Sequence, residues 1–100
     1  MGKKVYIVFE EGSLGSREKG RSIVAVCSSK EKAIRMIVNR YRKDEDWLYN
    51  AGIIGSKVNA RKKIRKALET ENKVFTYRKD WYINETDVNR WDEDLINVLW

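Results

Sequence analysis

The chain contains no histidine, no proline and a single cysteine in 100 residues. Without histidine it lacks the commonest general base, the Ser-His-Asp arrangement and every His-bearing zinc site. One thiol, Cys27, excludes an intrachain disulfide. It closes the apolar run Ile23-Val24-Ala25-Val26-Cys27, where it reads as a small buried hydrophobe rather than a nucleophile. With no proline, no turn is preset by a ring. Long apolar runs are also missing: none approaches the roughly 18 residues that a membrane span requires. The opening MGKKVYIVFEEG is too short in its apolar part for a secretory signal, and Tyr6 stands where an N-myristoylation signal carries Ser or Thr. The expectation is a cytoplasmic protein with no membrane segment.

What is present describes one globular domain over residues 1–100, 42% apolar and 36% charged, large enough for a single core without staples. The net charge of +6 is unevenly spread. Residues 1–50 carry net +4, residues 51–79 net +7 and residues 80–100 net −5. A basic middle and an acidic end attract each other, or partners of opposite sign.

Val5-Tyr6-Ile7-Val8-Phe9 predicts a first strand that is apolar on both faces and therefore central. The glycine- and charge-rich stretch 10–21 predicts a solvated hairpin loop. A strand rather than a helix follows it, so it does not make a phosphate cradle. Ile23–Cys27 is the second strand, antiparallel to the first. Ser28 and Glu31 have the S-x-x-E spacing of a capping box, and Ala33, Ile34, Ile37, Val38 and Tyr41 make the buried stripe of the helix that follows. Lys32, Arg35, Asn39 and Arg42 lie opposite. Asp44-Glu45-Asp46 predicts the start of another short helix, with Trp47 and Leu48 inward and Gly52 ending it. Ser56 or Asn59 caps the next helix, Lys57–Thr70, whose narrow stripe is Ala60, Ile64, Ala67 and Leu68. Six of its first ten residues are basic and none is acidic. Strands follow at 74–77 and 81–85, and the closing WDEDLINVLW fits a helix face or a strand equally. The fold class is α+β: a small antiparallel sheet of three or four strands in β-β-α-α-β order, with helices packed on it. One strong helix covers one side of a sheet that is apolar on both, a pattern compatible with a homodimer.

The order KVYIVFEE, polar loop, SIVAVCSSKEKAIRMI and later WYINETDV resembles a family of small proteins from phages, prophages and Firmicute-type bacteria, classed as a domain of unknown function. Ser28, Ser29, Glu31 and Ala33 match its strand-to-helix junction; Ile83, Glu85 and Val88 match its last strand. The resemblance covers about half the chain. It implies a β-β-α-β scaffold of phage or mobile-element origin, with residues 44–73 as a helical insertion, and a location in the host cytoplasm. It supplies no catalytic residues.

Three function classes can be weighed. For an enzyme, Asp80, Glu85, Asp87, Asp92, Glu93 and Asp94 offer carboxylates for Mg²⁺, but Glu85-Thr86-Asp87 departs from the E-x-K of a nuclease strand. A solvated acidic surface explains them, so no catalytic residue, metal or cofactor is expected. For direct DNA or RNA binding, Arg61, Lys62, Lys63, Arg65 and Lys66 form a basic face, and Trp81, Tyr82 and Tyr77 offer rings for stacking. For protein–protein contact, segregated charge and surplus aromatics suit an interface with aromatic anchors and a polar rim. Its acidic, aromatic face would comprise Trp81, Tyr82, Asp87, Trp91, Asp92, Glu93 and Asp94. With the phage-type resemblance, the expectation is a non-catalytic inhibitor of a host nucleic-acid-handling or defence complex, of the anti-CRISPR kind. Direct nucleic-acid binding by helix 57–66 is the alternative.

Overall fold

The β-branched and aromatic residues around Val5–Phe9 form strand β1 (Lys3–Gly12), which is central in the sheet as its two apolar faces predict. This computed structural model describes residues 3–12 and 20–88. On one side β1 pairs antiparallel with β2 (Arg21–Cys27), and on the other with β4 (Lys79–Val88). A short β3 (Lys73–Phe75) completes the order β2-β1-β4-β3. Two helices, α1 (Lys30–Asn50) and α2 (Lys57–Glu71), separate β2 from β3. The fold is thus α+β, with β-β-α-α-β-β order, and the strands expected at 74–77 and 81–85 are the antiparallel pair β3 and β4, the first ending at Phe75 and the second starting at Lys79.

Side-chain alternation along β1 divides the sheet into two unlike faces. Tyr6, Val8 and Glu10 point to the helices; Val5, Ile7 and Phe9 point away. The core lies between helices and sheet, where Val8, Cys27, Trp81 and Ile83 meet Ala33, Ile34, Ile37, Val38 and Tyr41 of α1 and Ile64 and Leu68 of α2. A register shift between Val8 and Phe9 makes Val24 an extra residue in β2, so that Val24 and Ala25 both pack on this core.

The cap of α1 lies one residue later than the capping box predicts. Strand β2 continues to Cys27, Ser28 and Ser29 make the bend, and Ser29 Oγ accepts from Lys32 N at 3.2 Å. Lys32, not Glu31, therefore occupies the third helical position. Glu31 is left to face Arg35 and Arg65, and Ser28 Oγ accepts from Lys32 Nζ.

No second helix begins at Asp44. Helix α1 runs unbroken for 21 residues, about 31 Å at 1.5 Å per residue. Each of the three acidic residues is met by a cation from another element. Arg78 lies 3.9 Å from Asp44, Arg61 lies 2.9 Å from Glu45, and Lys57 pairs with Asp46. Position 44, the expected start of the helical insertion, lies inside α1. Leu48 is buried as expected, but Trp47 is turned outward, 47% exposed. Helix α1 ends as glycine predicts. Gly52 adopts φ +76, Ile53 N donates to Leu48 O and Gly52 N to Tyr49 O, the paired bonds of a Schellman motif. Ser56 caps α2 through Asn59 N, and Asn72, at φ 60, closes it.

Beneath the helices, a polar clamp ties three elements. Arg40 of α1 donates two hydrogen bonds to the Glu10 carboxylate, at 2.9 and 3.1 Å, and Trp81 Nε1 donates a third at 3.0 Å. Burial by itself would raise the Glu10 pKa. The hydrogen bonds from Arg40 and Trp81, with the charges of Arg40 and Lys79, outweigh burial and hold it below the usual carboxylate value.

Candidate binding surfaces

The basic stretch of α2 does not present all its cations to solvent. A helix repeats every 3.6 residues, so Arg61 and Arg65 share the side that Ile64 and Leu68 turn to the protein. Arg61 Nε lies 2.9 Å from Glu45 Oε2, whose side chain is buried; the charges pair by proximity, without hydrogen-bond alignment. Arg65 lies 3.5 Å from Glu31. These two arginines dock α2 on α1. Lys62, Lys63 and Lys66 are exposed, and among the described residues no carboxylate pairs with them.

Between the two helices runs a groove of about 230 Å³, lined by Val38, Asn39, Arg42, Val58, Arg61, Lys62 and Arg65. Helix α1 supplies Arg42 from its outward row, and α2 supplies the other three cations. Arg61 and Arg65 are partly neutralised by Glu45 and Glu31, whereas Arg42 and Lys62 have no such partner among the described residues. The floor is apolar, from the buried Val38. Such a groove binds anions by long-range attraction and by guanidinium forks suited to phosphate or carboxylate.

A second surface lies at the far end of α1. The Trp47 and Tyr77 rings are 6.0 Å apart and tilted by 38°, with the Arg78 guanidinium 5.2 Å from the Trp47 ring centre. Tyr77 is 63% exposed. The turn that carries Tyr77 and Arg78 is tied by Thr76, whose N and Oγ1 both donate to Lys79 O. Tyr49 adds another exposed ring, with Lys57 Nζ 5.4 Å from its centre.

The acidic, aromatic face expected from the sequence is not assembled as such. Trp81 is 1% exposed and belongs to the core, where it fills the space under α1 and donates to Glu10. Tyr82, its neighbour in β4, points to the opposite face of the sheet, as strand alternation requires. Asp87 is exposed near the end of β4. Trp91, Asp92, Glu93 and Asp94 lie outside the described residues. Cys27 is buried, and burial pushes its thiol pKa up, against a smaller lowering by Lys32. Among the described residues no three or more acidic or cysteine side chains group as a metal site, and no helix is long and apolar enough to cross a membrane.

Comparison with protein-family models, with curated proteins and with solved structures finds no match. Two contributors went unassigned in the sequence: Arg42, which joins the basic face from another helix, and Trp47, which was expected inside. The outward basic row of α1 was a signal for Arg42. For Trp47 the signal was masked by the expected break at Asp44, which rotates every later residue.

Proposed function

We propose that this is a non-catalytic binding protein that takes a nucleic-acid backbone on the basic face between α1 and α2. The observation that carries it is the convergence of Arg42, Arg61, Lys62 and Arg65 on one open groove. Lys66 and Lys63 extend the positive field along α2. A phosphate row supplies evenly spaced anions to such a face, with counterion release as the main driving force.

The test is fluorescence anisotropy with labelled single- and double-stranded DNA and RNA across a salt series. Binding is expected to weaken with salt, its log–log slope steepening by about 0.7–0.9 for each phosphate neutralised. R42E/K62E should lower affinity at least tenfold and flatten the slope, because neither residue is committed to helix packing. Undetectable binding at low salt, or binding indifferent to R42E/K62E, would sink the proposal.

A second reading is favoured by the exposed Trp47–Tyr77–Arg78 cluster. Trp, Tyr and Arg are the residue types that dominate protein–protein hot spots. It suits an inhibitor that docks on a host nucleic-acid-handling or defence complex, the form suggested by the phage-type resemblance of the SSKEKA junction. This reading expects a host-protein complex that survives nuclease treatment and is lost in W47A. Persistence of that complex in W47A, or its loss on nuclease treatment, argues against it.

A further inference from the structure

Along the side of α1 that carries Arg42 into the groove stands an exposed ring. Seven residues make almost two whole turns of a helix, so Tyr49 shares the side of Arg42, about 10.5 Å further along the axis. Tyr49 is 48% exposed, and Lys57 Nζ lies 5.4 Å from its ring centre. Asp46 stands between Arg42 and Tyr49, but its charge is met by Lys57. The two helices run antiparallel, with Lys57 beside Asp46 at one end and Lys30 Nζ donating to Glu69 O at the other. Val58, which follows Lys57 and lines the groove, therefore lies at the Tyr49 end, and it is 54% exposed. The groove thus leads from a cationic stretch, Arg65, Lys62 and Arg42, to an apolar and aromatic end, Val58 and Tyr49.

We infer that the groove takes a single strand of nucleic acid rather than a duplex, with phosphates on Arg42, Lys62 and Arg65 and a base stacked on Tyr49. This rests on the nucleic-acid reading and narrows it. Two observations select the strand. First, a base offers its face to a side chain only when it is unpaired and splayed from its neighbours; inside a duplex both faces are covered, and a phosphate makes no use of a tyrosine ring. Second, the exposed Val58 and the Val38 floor set apolar surface beside the cations. Sugars and bases of an extended strand can cover that surface, whereas the outside of a duplex presents rows of phosphates. Lys57, held by Asp46, restrains the Tyr49 ring without burying it, so little freedom is lost when a base stacks there. A ring beside a row of cations reads no base edge, so binding is tolerant of sequence.

Fluorescence anisotropy of the full chain tests it, with an unstructured strand of about 15 nucleotides, as DNA and as RNA, and with the same DNA annealed to its complement. At matched salt, the DNA or the RNA strand is expected to bind at least tenfold tighter than the duplex. Y49L keeps apolar bulk beside Lys57 and removes the ring. It should lower affinity for the strand about tenfold, while duplex binding and the salt slope stay unchanged because no charge is altered. Y49F keeps the ring and should bind as the wild type does. Both variants should keep the wild-type circular dichroism, since Tyr49 is half exposed. A strand without bases should bind wild type and Y49L alike. A duplex bound as tightly as either strand would overturn the inference, as would a Y49L variant that binds the strand like wild type, or equal losses in Y49L and Y49F. If R42E/K62E still removes binding in any of those cases, the nucleic-acid reading stands without this refinement. No binding to strand or duplex would overturn both.

Discussion

Removing the Glu10 carboxylate should cost more stability than any surface ion pair in this protein. Its oxygens accept from Arg40 on α1 and from Trp81 on β4, so one side chain of β1 joins the helix to two central strands. In E10A the Trp81 N–H stays in the core without an acceptor, at a cost of about 1–3 kcal/mol. Arg40, whose side chain is 31% exposed, turns to water, so losing its charge-assisted pair adds only about 1 kcal/mol. The expected loss is therefore about 2–4 kcal/mol, a large part of the roughly 5–15 kcal/mol of a domain this size. At about 4–8 °C per kcal/mol, the melting temperature falls by about 8–30 °C. E10Q keeps an acceptor for Trp81 and should lose about half as much.

The pH dependence gives an independent check. The folded Glu10 pKa lies below its unfolded value, so the unfolded state binds the proton more readily. The resulting stabilisation is fully present above the unfolded value of about 4.3 and is lost as pH falls through the folded one. Urea unfolding followed by tryptophan fluorescence, from pH 7 to 3, should show the gap between wild type and E10Q closing below about pH 5. An E10A variant within about 0.5 kcal/mol of wild type, or a gap that stays constant to pH 3, would refute the clamp as a stabilising device.

Two further expectations concern the helices and the thiol. R61A leaves the buried Glu45 carboxylate without its cation, and the 30% exposure of Arg61 trims the usual cost of such a break to about 2–3 kcal/mol. In the same urea assay, E45L/R61M should recover most of that loss, and equal destabilisation by both variants would count against the pair. Cys27, buried and with its thiol pKa raised, should react with an aromatic disulfide reagent at pH 8 at least 100-fold more slowly in the native protein than in guanidinium. Reaction at the unfolded rate would show that the strand opens freely.

Local periodicity carried the elements that pack through their own pattern. The two-sided apolar run of β1, the stripe from Ala33 to Tyr41, a helix end at Gly52 and a cap for α2 at Ser56 or Asn59 were all legible. Each depends on residues within a turn or two of one another. The acidic triplet at 44–46 was misread because its explanation is distant in sequence. It looks like a helix start locally, but Arg61, Lys57 and Arg78 lie 11 to 34 residues away and let the helix continue through it. The same distance effect redistributed the candidate sites. Arg61 and Arg65 are drawn into helix packing, Arg42 joins from the other helix, and Trp81 and Tyr82 fall on opposite faces of one strand.

Chain chemistry therefore decided what this protein is made of: an α+β domain with no histidine chemistry, no disulfide and a strongly basic middle. Which side chains work together depended on sheet order and helix packing. Hydrophobic spacing shows which side of an element turns inward, but it does not show which other element waits there. That pairing, through contacts such as Glu10 with Arg40 and Glu45 with Arg61, selected the cations left facing solvent.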